Sequence, residues 1–159
     1  MADSDLTPAL RRATNADPEA ITELVTAAYR HYEPLIGRTP MPMLVHYADA
    51  VREHAVWVLE LDGRLVGVIE LEPRGDHLWV ENVAVAPRWQ GRGFGRLLLR
   101  HAEVEAARLG LREIGLLTNE RYADNIAMYT RYGYRETERV PHKGTDLVYF
   151  RKQLRAGAA

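Results

Sequence analysis

The sequence predicts a mixed α/β fold, a sheet of about seven strands flanked by about four helices, and three observations carry it. Apolar runs with the two-residue period of strands alternate with runs of helical period, in the order strand, one or two helices, three strands, helix, strand, helix, two strands. Turn chemistry such as Asp62-Gly63 separates them. Three glycines in five residues, Gly91, Gly93 and Gly95, stand where a strand hands over to a helix. The 159 residues are read as one domain, 1–159, because no repeat, low-complexity tract or long linker divides them and the length buries a sizeable core.

Each element has a local reason. "PALRRAT" forms a short first strand. In "NADPEAITELVTAAYRHY", Asp17 can cap a helix whose first turn suits Pro18 and Glu19, and Ile21, Leu24, Val25, Ala28 and Tyr32 make its buried stripe. Pro34, Gly37, Pro40 and Pro42 make "EPLIGRTPMPM" a loop, followed by a short helix through "LVHYADAVRE". "AVWVLELDGRLVGVIELEP" is a hairpin, since both turn positions of Asp62-Gly63 accept positive φ. "DHLWVENVAVAP" extends the sheet to Pro87. The next helix buries Phe94, Leu98, Ala102, Ala106 and Leu109 and stops at Gly110. "REIGLLTN" is a buried strand, "YADNIAMYTRYG" a helix, and "YRETERV" and "TDLVYFRKQL" are the last two strands.

Composition narrows the function. Lys and Arg total 21 against 22 Asp and Glu, which argues against a broadly basic nucleic-acid module. No cysteine is present, so disulfides, thiolate nucleophiles and sulfur-ligated zinc are excluded. The scattered histidines suggest no metal site. "MADSDLTPAL" carries acids and lacks the apolar core of a secretory leader, and no apolar run reaches membrane-spanning length. The expectation is a cytoplasmic protein with neither membrane nor nucleic acid as a partner.

The glycines address an anion. A helix that starts directly after a strand leaves its first N–H groups without intrahelical acceptors, at the positive end of its dipole. Glycine clears the approach to them and tolerates unusual φ, while Arg88, Arg92 and Arg96 add positive charge. This favours phosphate or pyrophosphate over a turn that is bare only for packing. Neither familiar nucleotide loop fits. No Gly-Lys-Ser/Thr ending follows, and a dinucleotide fingerprint counted from Gly91 or Gly93 meets Arg96 or Leu98 at its third glycine.

Gln90-x-x-Gly93-x-Gly95 after "VAVAP" instead resembles the acetyl-coenzyme A loop of the GNAT N-acetyltransferase superfamily. "NIAMYTRYGYRET" is similar to that family's helix, in which a tyrosine is followed four residues later by Gly and an aromatic, here Tyr129, Gly133 and Tyr134. The likeness runs from "RRATNAD" to "VYFRKQL" and is strongest over residues 78–136. It implies the GNAT fold, a mostly antiparallel twisted sheet in which "REIGLLTN" diverges from the preceding strand to leave a cleft for the pantetheine arm. By the same resemblance, the amides of Gln90, Gly91, Arg92, Gly93, Phe94, Gly95 and Arg96 hold the pyrophosphate. Val83 and Val85 meet pantetheine through main-chain atoms, and Asn125 sits beside the cofactor. Many relatives place an asparagine seven residues before the helical tyrosine; Tyr122 stands there in this chain, so a capping or packing role for Asn125 is the alternative. Homodimers are common in the family, and an open sheet edge would support one.

The implied activity is transfer of an acetyl group from acetyl-CoA, the cosubstrate, to a primary amine within a ternary complex. A non-catalytic acyl-CoA sensor or scaffold on the same fold is the alternative. Tyr129 is the expected acid for the departing thiolate, singled out from Tyr132 and Tyr134 by the family pattern alone. Glu81 is the expected base: strict alternation puts it on the face of Val83 and Val85, in the cleft, against the competing reading of a salt-bridged strand carboxylate. Glu70, Glu72, His77 and a water chain are the further candidates. Tyr29, Tyr32, Met43 and Tyr47 are expected to wall the pocket of a small-molecule or peptide amine, with His31 and His46 as polar handles. No metal takes part in this scheme.

Overall fold

The computed structural model describes residues 7–155; the first six residues of the acidic opening lie outside them. Seven strands form one sheet: β1 (Ala9–Arg12), β2 (Ala55–Leu61), β3 (Arg64–Arg74), β4 (His77–Val85), β5 (Glu113–Asn119), β6 (Arg135–His142) and β7 (Thr145–Gln153), in the order β1-β2-β3-β4-β5-β7-β6. Only β4 and β5 pair in parallel. The helices are α1 (Pro18–Tyr29), the one-turn α2 (Glu33–Ile36), α3 (Tyr47–Glu53), α4 (Phe94–Arg108) and α5 (Ala123–Arg131). Alternation along β2 divides the core. Val56 and Val58 face α1 and α3 together with Val68 and Ala84, while Leu59 and Leu61 join Leu98, Ala102, Ile114 and Tyr129 on the side of α4 and α5. Asp62 and Gly63 take φ of 50° and 76°, the turn that the sequence predicts between β2 and β3.

Three local expectations need correction. The segment read as a loop contains α2, because Pro34 sits in the first turn, where no N–H is required, and Gly37 ends it at φ 69°. Leu109 is 41% exposed rather than on the buried stripe, since it caps α4 instead of continuing it. Asp17 makes no side-chain cap on α1. Its carboxylate instead receives both Arg11 Nη atoms (2.8 and 2.9 Å) and the Thr14 N–H (2.7 Å), pinning the β1–α1 turn to the sheet. The Arg11 guanidinium holds this carboxyl below its ordinary range. Asp17→Ala is therefore expected to cost about 2 kcal/mol, read from thermal or urea melts. A depressed carboxyl contributes fully above the ordinary aspartate range and loses its contribution as pH falls through the lowered value, so the deficit should shrink in acid.

The functional geometry begins where β4 leaves β5. The two strands pair only at Leu78–Ile114 and Trp79–Gly115. Gly115 keeps this crossing tight, since a Cβ would lie 3.2 Å from side-chain atoms of Trp79, His77 and Arg151, which would have to shift to admit it. A bulge then re-phases β4: Leu71 faces Val80 and Glu70 faces Asn82, which leaves Glu81 as the extra residue. Leu78, Val80 and Val83 consequently pack on the α4/α5 side, whereas Asn82 bonds to Tyr29 and Tyr47 and Ala84 packs beneath α1. Glu81 sits on the side of Trp79, whose indole N–H it accepts. The parity expectation that put Glu81 on the face of Val83 and Val85 is thus wrong.

Candidate active site

After β4, Pro87 opens a 3₁₀ turn (Pro87–Trp89), and Gly91 and Gly93 follow in the left-handed region at φ 78° and 85°. A Cβ added to either would meet nothing within 4 Å, so the space in front of the loop is open. Gly93 is the N-cap of α4, and the first helical bond runs from Leu97 N–H to the Gly93 carbonyl (3.0 Å). The amides of Phe94, Gly95 and Arg96 thereby lack intrahelical acceptors. Gly95 is bare for a different reason: a Cβ there would stand 3.1 Å from Met128 Sδ, where α4 and α5 approach. Gln90 Nε2 donates to the Val85 carbonyl (3.0 Å), tying loop to strand. Arg88 and Arg92 lie over Trp89 and Arg96 lies over Tyr132, which keeps three positive charges around the helix start. A groove of about 420 Å³ passes this loop and continues between Val83–Val85 and Asn125.

Beyond Trp79 the divergence of β4 from β5 opens a cleft of about 200 Å³ that contains Glu70, Glu81, Asn82, Arg38 and Tyr129 in its walls. Groove and cleft share Tyr29, Val83 and Asn125, so the two spaces adjoin near the end of β4. Tyr129 is 4% exposed, with its ring 5.9 Å from those of Tyr134 and Phe150. Burial holds its phenol well above the ordinary value, so it stays protonated across the physiological range. Opposite, the Tyr29 hydroxyl donates to Asn82 Oδ1 (2.9 Å), Asn82 Nδ2 donates to the Tyr47 hydroxyl (3.2 Å), and that hydroxyl donates to the Pro42 carbonyl (2.8 Å). This chain fixes α1, β4, α3 and the 41–44 turn as one wall. Glu81 Oε2 accepts from Trp79 Nε1 (2.8 Å) and Arg74 Nη2 (3.2 Å). Free amides and three arginines at one end, and a neutral phenol and two carboxylates in the walls at the other, suit an anionic group in the groove and a cationic one in the cleft.

A model of the acetyltransferase (GNAT) family matches residues 19–134. The chain belongs to the GNAT family. Among its relatives, the S-(2-succino)cysteine N-acetyltransferase of Bacillus subtilis (strain 168) is 34% identical over 93% of this chain and 97% of that protein. The aminoglycoside N(6′)-acetyltransferase type 1 of Stenotrophomonas maltophilia is 30% identical over 95% of this chain and 97% of its own length. The crystal structure of the PaiA N-acetyltransferase of Thermoplasma acidophilum in complex with coenzyme A shares the fold, with a TM-score of 0.76 at 16% identity over 92% of this chain and 99% of that one. The protein is an N-acetyltransferase of GNAT fold.

Within the GNAT frame the expected site residues are distributed as follows. Val83, Val85, Gln90, Gly91, Gly93, Phe94, Gly95 and Asn125 come together along the groove, with Arg92 and Arg96 flanking it on their aromatic partners. Tyr129 and Glu81 line the cleft, and Tyr29 lines both spaces. Tyr32 is on the groove instead of the cleft: it stacks on Tyr122 at 4.0 Å, and burial pushes its phenol up to about 12. Met43 and Tyr47 stand behind the wall, where Met43 packs beside the α1/α3 core and the Tyr47 hydroxyl is occupied by Pro42 and Asn82. Met41 and Pro42 take the wall positions. His31 lies along the groove, and His46 is exposed and paired with Asp49. Sequence reasoning missed Asn82, Trp79, Arg38, Arg74 and Tyr122. Asn82 was findable as a polar residue inside the apolar run "LWVENVAVA"; the others carried no local signal. Among the described residues, no group of three or more His, Asp or Glu is placed to hold a metal, and no helix is long and apolar enough to cross a membrane.

Proposed function

We propose that this GNAT enzyme moves the acetyl group of acetyl-CoA directly onto the primary amine of a small molecule that also carries a carboxylate, in the cytoplasm. The observation that carries this reading is the meeting of groove and cleft at Tyr29, Val83 and Asn125. Amides of the 91–96 segment face the pyrophosphate, whereas the Gln90 N–H, expected to join them, is engaged by the Pro87 carbonyl (3.3 Å); β4 between Val83 and Val85 runs beside the pantetheine arm. A main-chain N–H of Val83 or Val85 polarises the thioester carbonyl. The acceptor loses its ammonium proton to a base in the cleft, and its lone pair attacks the carbonyl carbon. The C–N bond forms, the C–S bond breaks, and the electron pair leaves on sulfur, which takes the phenolic proton of Tyr129; the new amide nitrogen sheds its second N–H proton, which restores the Tyr129 phenol. With no cysteine available for a thiol acyl-enzyme, holding both substrates in one passage supplies the alternative, direct route.

Arg38 supports the acceptor class. It is half-buried on the cleft wall and only its Nη1 is engaged, with the Lys143 carbonyl (3.2 Å), leaving donors for a carboxylate across the cleft from Glu70 and Glu81. The cysteine-adduct acceptor named for the Bacillus subtilis relative agrees with this reading. A panel of amines, assayed by free-thiol release from acetyl-CoA, should give its highest kcat/KM with amino-acid-like acceptors, S-(2-succino)cysteine included. Arg38→Gln should raise their KM about tenfold and leave simple alkylamines unchanged. A panel led by alkylamines or aminoglycosides would refute the carboxylate requirement.

A further inference from the structure

The proton that leaves the acceptor needs a destination, and the cleft holds two carboxylates of different character. Glu81, the expected base, is 39% exposed at its side chain, and its Oε2 already serves an indole N–H and a guanidinium. Glu70 is 2% exposed, yet it reaches the cleft wall from β3, opposite Asn82. Its Oε2 accepts from His54 Nδ1 at 2.5 Å, and its Oε1 has no hydrogen-bond partner. A buried acceptor left open is rare, because it forfeits the cost of removing it from water. At this position an ammonium entering the cleft would supply the missing donor. The bulge at Glu81 sets Glu70 opposite Asn82, and both residues line the cleft.

Resting on the transfer reading above, we propose that Glu70, rather than Glu81, takes the proton of the acceptor ammonium at Oε1, while His54 positions it by donating to Oε2. One N–H bond of the ammonium breaks, its electron pair stays on nitrogen, and an O–H bond forms on Glu70. The free amine then attacks the thioester. Charges facing the pair come from several elements. Glu72 stands 3.8 Å from His54 Nε2, Glu81 faces Glu70 from β4, Tyr47 of α3 lies close enough to feel its charge, and Arg74 lines the same cleft. Burial lifts the Glu70 carboxyl above its ordinary range, and the contact with Glu70 lifts the His54 ring above its own. The imidazolium opposes the lift on Glu70, which keeps the carboxylate available as a base.

The test is the pH profile of kcat/KM with the panel's best acceptor, for wild type, Glu70→Gln, His54→Gln and Glu81→Gln, each checked for folding by melts and for acetyl-CoA affinity by calorimetry. Glu70→Gln should lose about 100-fold at neutral pH and recover toward wild type as alkaline pH supplies free amine. His54→Gln removes the charge that restrains the Glu70 carboxyl, so the acid limb should move to higher pH. Glu81→Gln should raise the acceptor KM with the limb in place. A folded, CoA-binding Glu70→Gln enzyme with wild-type activity, or with a deficit that is the same at every pH, overturns the assignment. A limb that moves only in Glu81→Gln returns the role to Glu81. If no amine is acetylated by the wild type, the transfer reading fails, and the base assignment fails with it.

Discussion

Gly93→Glu should give a folded protein that no longer holds acetyl-CoA. The site tolerates a side chain in the free protein, because a Cβ there meets nothing within 4 Å. The left-handed φ of 85° makes the exchange cost about 1 kcal/mol in stability, which lowers Tm by roughly 2–4 °C for a chain of this size. The same open space is where the pyrophosphate is proposed to sit, against the amides of Phe94, Gly95 and Arg96. A carboxylate placed there removes access and adds repulsion. Charge-assisted hydrogen bonds contribute about 1.5–3 kcal/mol each, so losing two of them weakens binding by roughly 100-fold or more. Calorimetry with acetyl-CoA, CoA and ATP reads the result. Undiminished acetyl-CoA affinity in a folded Gly93→Glu variant takes the glycine loop out of the mechanism, and a wild type that prefers ATP overturns the cosubstrate.

Tyr129→Phe should lower kcat by about 100- to 1,000-fold with acetyl-CoA affinity unchanged. The substitution keeps the ring against Tyr134 and Phe150 and deletes only the hydroxyl, so packing gives no reason for a large effect. The loss would come from the thiolate, which would leave without a proton donor. Because burial raises the phenol, wild-type activity should show no alkaline limb from this group within the ordinary tyrosine range. Stopped-flow or steady-state thiol release over a pH series, beside calorimetry, separates chemistry from binding. Unchanged turnover in Tyr129→Phe would move the acid elsewhere. Tight acetyl-CoA binding by a wild type that acetylates nothing would favour the sensor reading.

Elements governed by neighbours in sequence were legible. The β2–β3 turn followed from Asp62-Gly63, and the start of α4 followed from Gly93, because both depend on φ at single residues. The bare turn at Gly91 and Gly93 was readable for the same reason. What escaped depended on contacts between distant segments. The bulge at Glu81 exists only in the pairing of β3 with β4, so alternation along β4 could not reveal that Asn82 turns toward Tyr29 and Tyr47. Asp17 could not be known to prefer Arg11 over its own helix. The cleft wall was the least readable part. Whether Tyr32, Met43 and Tyr47 face the cleft is decided by how α1, α3 and the 41–44 turn settle on the sheet, and all three turned out to line the groove or stand behind the wall.

The brief pairing of β4 with β5 separates two design tasks. The groove proposed for the donor hangs from the end of β4 and the start of α4, whereas much of the cleft proposed for the acceptor belongs to β5 and to the segment holding Ile36, Arg38, Met41 and Pro42. On the proposed reading, mutations in that segment would retune which amine is accepted at little expense to the thioester's seat, so the scaffold would lend itself to diversification by loop grafting around a fixed donor site.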